Sequence, residues 1–154
     1  MSCKRKYVAT TRRKRLILIG SKKPFINLDY PDETPLRLKD IIQKDSEVNI
    51  PQYVLNRING NYRDKPIVSD PECDDLAPTC VAHYSKDRGT RLIKDGNRIR
   101  PYTVREYARL QGFPDWFEFC GSDSDAYRQI GNAVAVPMGR WVGSQIVKYF
   151  NGAM

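Results

Sequence analysis

Apolar positions fall into four patterned stretches separated by polar or turn-rich intervals. The first is the unbroken aliphatic run Leu16-Ile17-Leu18-Ile19, flanked by Arg15 and Gly20. A short run of this kind, closed by glycine, predicts a strand buried on both faces. Leu36, Leu38, Ile41 and Ile42 follow Thr34-Pro35 at helical spacing and predict a short helix. From about residue 60 to 100 the chain is broken by Asn-Gly, Lys-Pro, Ala-Pro and Asp-Gly pairs, which predict short strands and long loops. Helical signals return at Thr103-Val104-Arg105-Glu106, a capping box in which the threonine caps the helix start and Glu106 reaches back to the cap amide. Val104, Tyr107, Ala108 and Gln111 then share one face, Arg105 and Arg109 another, and Gly112 and Pro114 stop the helix. A last helix starts near Pro137, with Met138, Trp141, Val142, Gln145, Ile146 and Tyr149 as its buried stripe and Gly152 as its end. The expectation is a mixed α/β chain with a loop- and strand-rich middle.

Charge adds a partner to this picture. The chain has 154 residues, 26 Lys+Arg against 18 Asp+Glu and a formal net charge of +8. The first 25 residues hold nine bases and no acid, whereas residues 28–48 hold six acids and three bases. From Lys86 to Arg100 there are six bases (Lys86, Arg88, Arg91, Lys94, Arg98 and Arg100) against Asp87 and Asp95. Such a distribution favours a polyanion, because each phosphate neutralised by Lys or Arg releases condensed counterions. No long apolar span, signal peptide or basic amphipathic N-terminal helix points to a membrane. Cys3, Cys73, Cys80 and Cys120 lack C-x-x-C spacing, and the single His83 does not complete a usual zinc set, so reduced thiols and no metal site are expected. With no export signal, the expected location is the cytoplasm, beside the nucleoid.

Three segments, in order, resemble the DNA (cytosine-5) methyltransferase family. Residues 7–20, Tyr-Val-Ala-Thr-Thr-Arg-Arg-Lys-Arg-Leu-Ile-Leu-Ile-Gly, resemble its motif VIII, a Tyr-Gly-x-Pro-Gln-x-Arg-x-Arg run entering a hydrophobic strand. Residues 100–115, Arg-Pro-Tyr-Thr-Val-Arg-Glu-Tyr-Ala-Arg-Leu-Gln-Gly-Phe-Pro-Asp, resemble motif IX almost residue for residue. Residues 127–134, Tyr-Arg-Gln-Ile-Gly-Asn-Ala-Val, resemble motif X. The interval of about residues 21–99 then corresponds to the variable target-recognition region. Within it, Thr79-Cys80 after Ala77-Pro78 resembles the family's Thr-Leu-type dipeptide.

The resemblance implies the C-terminal piece of a Rossmann-like α/β methyltransferase domain with a small recognition domain inserted. Residues 1–20 and 127–154 would belong to the large domain, 21–99 to recognition, and 100–126 to a segment bracing it. It implies methyl transfer from S-adenosylmethionine to C5 of cytosine in double-stranded DNA. The nucleophilic Pro-Cys, the Glu-Asn-Val motif and the Gly-rich cofactor loop do not occur here, and the family carries them before motif VIII. The chain alone is therefore expected to be inactive, needing a protein partner with those motifs or else self-associating through its apolar faces. A non-catalytic DNA-binding protein, or a remnant derived from such an enzyme, is the alternative reading.

Residue by residue, Arg13 and Arg15 match the motif VIII arginines, and Arg15 would reach the flipped cytosine's carbonyl or its phosphate. Thr11 stands where the family usually has glutamine. Asn132 and Ala133 would meet the methionine part of the cofactor on a Gly-Asn turn. Arg105, Glu106 and Arg109 would pair with one another as braces, below the Thr103 cap. Arg63, Lys86, Arg88 and Arg91 are the base- or backbone-reading candidates, with Thr79 on a phosphate. His83 and Tyr84 are exposed-loop candidates for stacking.

Overall fold

The structure, a computed structural model, describes residues 9–11, 15–22, 28–29, 36–43, 46–65, 67–74 and 76–152. The order is α1 (Leu38–Ile41), α2 (Gln52–Asn59), β1 (Val68–Ser69), 3-10 turns at Tyr84–Lys86 and Arg88–Thr90, β2 (Leu92–Asp95), β3 (Arg98–Pro101), α3 (Val104–Leu110), α4 (Asp123–Asn132) and α5 (Val136–Phe150). One three-stranded sheet has the order β1-β2-β3, parallel between the first two and antiparallel between the last two. The Asp-Gly breaker becomes the hairpin: Asp95 pairs with Arg98 across Gly96, whose φ of 59° suits a two-residue turn.

The core lies where β2, β3, α1, α3 and α4 converge. Leu38, Ile41, Ile93, Leu110 and Ile130 close around Tyr84, Tyr102, Tyr107 and Tyr127. Tyr84 and Tyr107 stack at 4.5 Å between centroids, and both meet the Tyr127 ring edge-on at 5.2 and 5.5 Å. Three of these hydroxyls are spent on backbone. Tyr84 donates to Arg91 O and accepts from Tyr102 N, Tyr107 bonds both backbone groups of Val81, and Tyr127 donates to Tyr102 O. An aromatic core with wired hydroxyls fixes loop positions that aliphatic packing would leave free.

The capping box of α3 forms as predicted: Glu106 N donates to Thr103 Oγ1 at 3.1 Å and Thr103 N to Glu106 Oε2 at 2.9 Å. The same device starts α4, with Ser122 and Asp125 in the two roles. Gly112 must be glycine twice over. Its φ is +79°, and a Cβ there would lie 2.6 Å from Pro137 Cδ.

Four expectations need correction. Residues 16–19 form no strand, and Leu16 and Leu18 are each 85% exposed. A strand exists only through its neighbours' hydrogen bonds, and none of the described strands lies beside this run. The α5 stripe is not buried as a whole. Gln145 is, but Ile146 is 40% exposed, and the neighbouring Val147 and Phe150 are more open still. Asp29 bonds to Trp141 Nε1 and Gln145 and ion-pairs with Lys148, and residues 19–22 line one cleft with Ile146, Tyr149 and Phe150. Tyr84 is no exposed stacking ring but a core residue at 0% exposure. Gly131-Asn132 is no turn. These residues are the last two of α4, and Gly131 is where the helix meets backbone, since a Cβ there would lie 2.3 Å from Ala82 N. The pattern also gave no sign of α2.

Candidate DNA and cofactor site

Helix α3 is the beam on which the predicted site residues hang. At its start, buried Glu106 takes two bonds of 2.8 Å from Arg100, whose Nε binds Asp95 Oδ2 at 2.7 Å. Glu106 Oε1 also accepts from Gln43 N at 2.8 Å, so the box that caps α3 holds the chain beyond α1. Both partners of the Arg100–Glu106 pair are essentially unexposed, a charge-assisted fork with its lone pairs satisfied. The side chains of Arg105, Glu106 and Arg109 do not pair with one another. Arg105 donates to the carbonyls of Pro114 and Phe117, and Arg109 forks onto Asp115 at 2.7 Å while its Nη1 reaches Ile41 O. Residues i and i+4 on one helix face can meet, but here each side chain finds a better acceptor across the fold.

Midway along α3, Tyr107 hydroxyl accepts from Val81 N at 2.6 Å and fixes the loop that carries Thr79 and Cys80. At its end, buried Gln111 donates from Nε2 to Ile130 O of α4 at 3.1 Å, and its backbone carbonyl accepts from Val136 N, the first residue of α5. One helix thus ties the loop that carries Thr79 and Cys80 to α4 and α5.

The sequence-predicted residues divide accordingly. Arg91 Nε donates to Thr79 O at 2.6 Å, so two predicted DNA contacts are joined and that arginine's first task is to hold the loop. Arg88 lies with its guanidinium carbon 5.1 Å from the Tyr127 ring centre, a cation–π contact that roots it in the core. Lys86 and Arg63 are exposed, on the Tyr84–Lys86 turn and in the turn after α2. Arg15 is exposed beside the aliphatic run, and Arg13 lies outside the described residues. Thr10 and Thr11 fasten the segment that precedes the aliphatic run: Ala77 N donates to Thr10 O at 2.8 Å, and Thr11 bridges to Ala77, two residues before Thr79. Asn132 is exposed at the end of α4 and shares a crevice with His83 and Lys86. Ala133 has already spent its N–H on Gln129 O and Ile130 O, and its carbonyl accepts a long bond of 3.5 Å from Gln111 Nε2.

Sequence reasoning missed Arg100, Gln43 and Gln111 as site-building residues. Arg100 sat in the quoted motif, but its charge is balanced by Asp95, five positions back across a hairpin, and Glu106, six positions on at a helix start. Only the rule that a capping-box Glu with a buried second oxygen needs a cation could have found it.

Comparison with known proteins agrees with this architecture. The model of the C-5 cytosine-specific DNA methylase family matches residues 36–148. Type II methyltransferase M.Sau96I of Staphylococcus aureus is 52% identical over 78 residues, which cover 51% of this chain and 18% of that protein. DNA (cytosine-5)-methyltransferase CMT2 of Arabidopsis thaliana is 55% identical over 79 residues, 51% of this chain and 6% of the relative. The fold is shared with the S. pombe Dnmt2 methyltransferase at a TM-score of 0.61 and 20% identity, covering 75% of this chain and 42% of that one. The match therefore takes in less than a quarter of either curated relative's length. With the family model matched over most of its residues, the chain belongs to the C-5 cytosine-specific DNA methylase family.

Proposed function

We propose that this chain is the DNA-recognition and cofactor-pocket-completing component of a DNA (cytosine-5) methyltransferase, acting with a polypeptide that supplies the catalytic cysteine. The observation that carries the reading is the tie made by α3: Tyr107 holds the recognition loop at Val81, while Gln111 holds α4 and α5. A pure DNA binder has no need of the second attachment. Exposed Leu16 and Leu18, with Val147 and Phe150, give the apolar faces that the cysteine-bearing portion would cover.

S-adenosylmethionine ends in an amine and a carboxylate, and the residues at the α4–α5 junction suit that end. The Asn132 carboxamide both donates and accepts, the Ala133 carbonyl lies next to it, and α5 begins without a side-chain cap. Bound there, the cofactor supplies the methyl group. Asn132 orients its amino-acid end, and Gln111 fixes the junction that carries Asn132. Arg15 is the residue of this chain assigned to the cytosine or its phosphate, with Arg13 beside it in sequence. Thr79, Arg63, Lys86, Arg88 and Arg91 form the recognition side, on which Arg91 and Arg88 act by shaping the loop and Lys86 and Arg63 by contact.

The test is methyl transfer from labelled S-adenosylmethionine to duplex DNA, with the chain alone and with a family polypeptide carrying Pro-Cys, Glu-Asn-Val and the Gly-rich loop. Activity in the mixture only is the expected result. Activity of the chain alone would refute the division of labour. DNA binding without activity in either tube would favour a non-catalytic binder.

A further inference from the structure

The crevice between the Tyr84–Lys86 turn and α4 has, apart from Lys86 and Asn132, no role in the reading above. It measures about 320 Å³, with His83, Ser85 and Lys86 on one wall and Ser124, Arg128 and Asn132 on the other. The walls are fixed. Ser85 Oγ and Ser124 Oγ lie 2.9 Å apart across it, and Gly131 seats α4 directly on the backbone of Val81 and Ala82.

Its charge is cationic. The one carboxylate in the lining, Asp125, is occupied by its own helix: Oδ2 accepts from Ser122 N and Oγ, and Oδ1 accepts from Arg128 Nη2 at 2.8 Å. The Ser122 bonds, with Arg128 adding, hold its carboxyl below the usual range, so it stays ionised and anchors Arg128 by one nitrogen. A guanidinium has five N–H donors, and this one remains 65% exposed. Lys86 faces the same space with a further charge. Two cations, two hydroxyls and an open mouth match an oxyanion on a long polymer better than a small apolar ligand. Lys86 also opens the basic stretch 86–100, which places the crevice at the edge of the recognition region.

We propose that this crevice seats a backbone phosphate of the DNA duplex between Lys86 and Arg128, so that motif X contacts DNA as well as closing the cofactor side. The inference rests on the DNA-recognition reading and extends it to a residue outside the recognition region. A phosphate contact adds affinity to every sequence alike, and each one lost lowers the salt slope of binding by about 1.

The experiment measures binding of the full chain to a fluorescent duplex by anisotropy across a salt series. Wild type is compared with Lys86→Gln, Arg128→Gln, Arg128→Lys and Arg37→Gln. Arg37 is the matched control, with a side chain 62% exposed and paired to Asp40 three residues on, as Arg128 is to Asp125. Circular dichroism verifies that all variants fold. The expected result is a slope lowered by about 1 for each crevice Gln variant, equally on cognate and scrambled duplexes, with Arg128→Lys near wild type and Arg37→Gln unchanged. Arg128→Gln binding with the wild-type slope, or losing affinity for one sequence only, would overturn the inference while leaving DNA recognition intact. Failure of the wild-type chain to bind duplex at any salt would remove the recognition reading and the inference together. A second arm adds inorganic phosphate at constant ionic strength. Phosphate that weakens duplex binding to wild type more than to Arg128→Gln is expected of a seat the duplex phosphate occupies, and an equal effect on both would overturn the assignment.

Discussion

Among the described residues Arg100 is one of the largest side chains buried completely, and its surroundings explain how a charge is tolerated there. Burial opposes the cation, but the bonds from Glu106 and Asp95 outweigh it and raise its pKa, while Asp95 is held below the carboxylate range chiefly by Arg100. Removing one member of such a pair strands the other. Glu106→Gln is expected to cost about 3–5 kcal/mol, read as a fall in the urea midpoint at constant slope. A loss below about 1 kcal/mol would mean that Asp95 suffices for Arg100. The exposed Arg109–Asp115 fork is the internal comparison: its carboxylate is 61% exposed, so Asp115→Asn is expected to cost no more than about 1 kcal/mol. Asp95 also sets an acid limb. Its folded pKa is depressed, so its contribution is fully present above the unfolded value of about 3.9 and is lost as pH falls below that. Thermal melts between pH 5 and pH 2.5 (both approximate settings) should lose stability less steeply in Asp95→Asn than in wild type. Equal steepness would show that other carboxylates dominate.

Elements were legible where a local rule was complete and illegible where the partner lay elsewhere in the chain. Thr103-x-x-Glu106 announced α3 because both halves of the capping box sit within one turn, and Pro137 and Gly152 bounded α5 for the same reason. Ser122-x-x-Asp125 obeys the same logic, yet the run Gly-Ser-Asp-Ser-Asp reads as loop, and only the buried face of Ala126, Tyr127 and Ile130 declares a helix. Gly131 read as a turn glycine, when its purpose is to let α4 touch the backbone at Val81 and Ala82. Gly131→Ala must therefore push α4 off the 84–86 turn. A loss of about 1–3 kcal/mol is expected, together with weaker DNA binding, and an unchanged melting temperature would refute the contact. The tyrosine core makes a second statement at this scale. Burial raises Tyr127 to about 12 and lifts Tyr84 and Tyr107 above the usual phenol value as well. Raised folded values mean stability that is complete below the unfolded pKa of about 10 and lost as pH rises through the folded ones. Tyrosinate absorbance near 295 nm (an approximate wavelength for following Tyr ionisation) should thus rise together with loss of helix between about pH 10 and 12, and early, independent titration of all the rings would count against a closed core.

At the scale of the whole molecule, two surfaces are finished to different degrees. The proposed recognition side is closed by hydroxyls, forks and caps, while Leu16 and Leu18 at 85%, Val147 at 57% and Phe150 at 78% stand in water. The sequence made Leu16, Leu18 and Ile146 look like core because an aliphatic run and an amphipathic stripe state only that burial is wanted, not which chain provides it. That difference can be measured. Leu16→Ser, Leu18→Ser, Val147→Ser and Phe150→Ser combined should leave the melting temperature almost unchanged, because side chains already in solvent contribute little to the folded state. The same variant should abolish self-association and block assembly with the cysteine-bearing polypeptide, since both depend on covering apolar area. Sedimentation at rising concentration decides it. Oligomers of wild type and a monomeric variant are expected, with methyl transfer in the mixture lost and duplex binding retained. If wild type and variant sediment alike as monomers and reconstitute alike, the exposed face has no share in assembly, and the cysteine-bearing portion must dock through the recognition side instead.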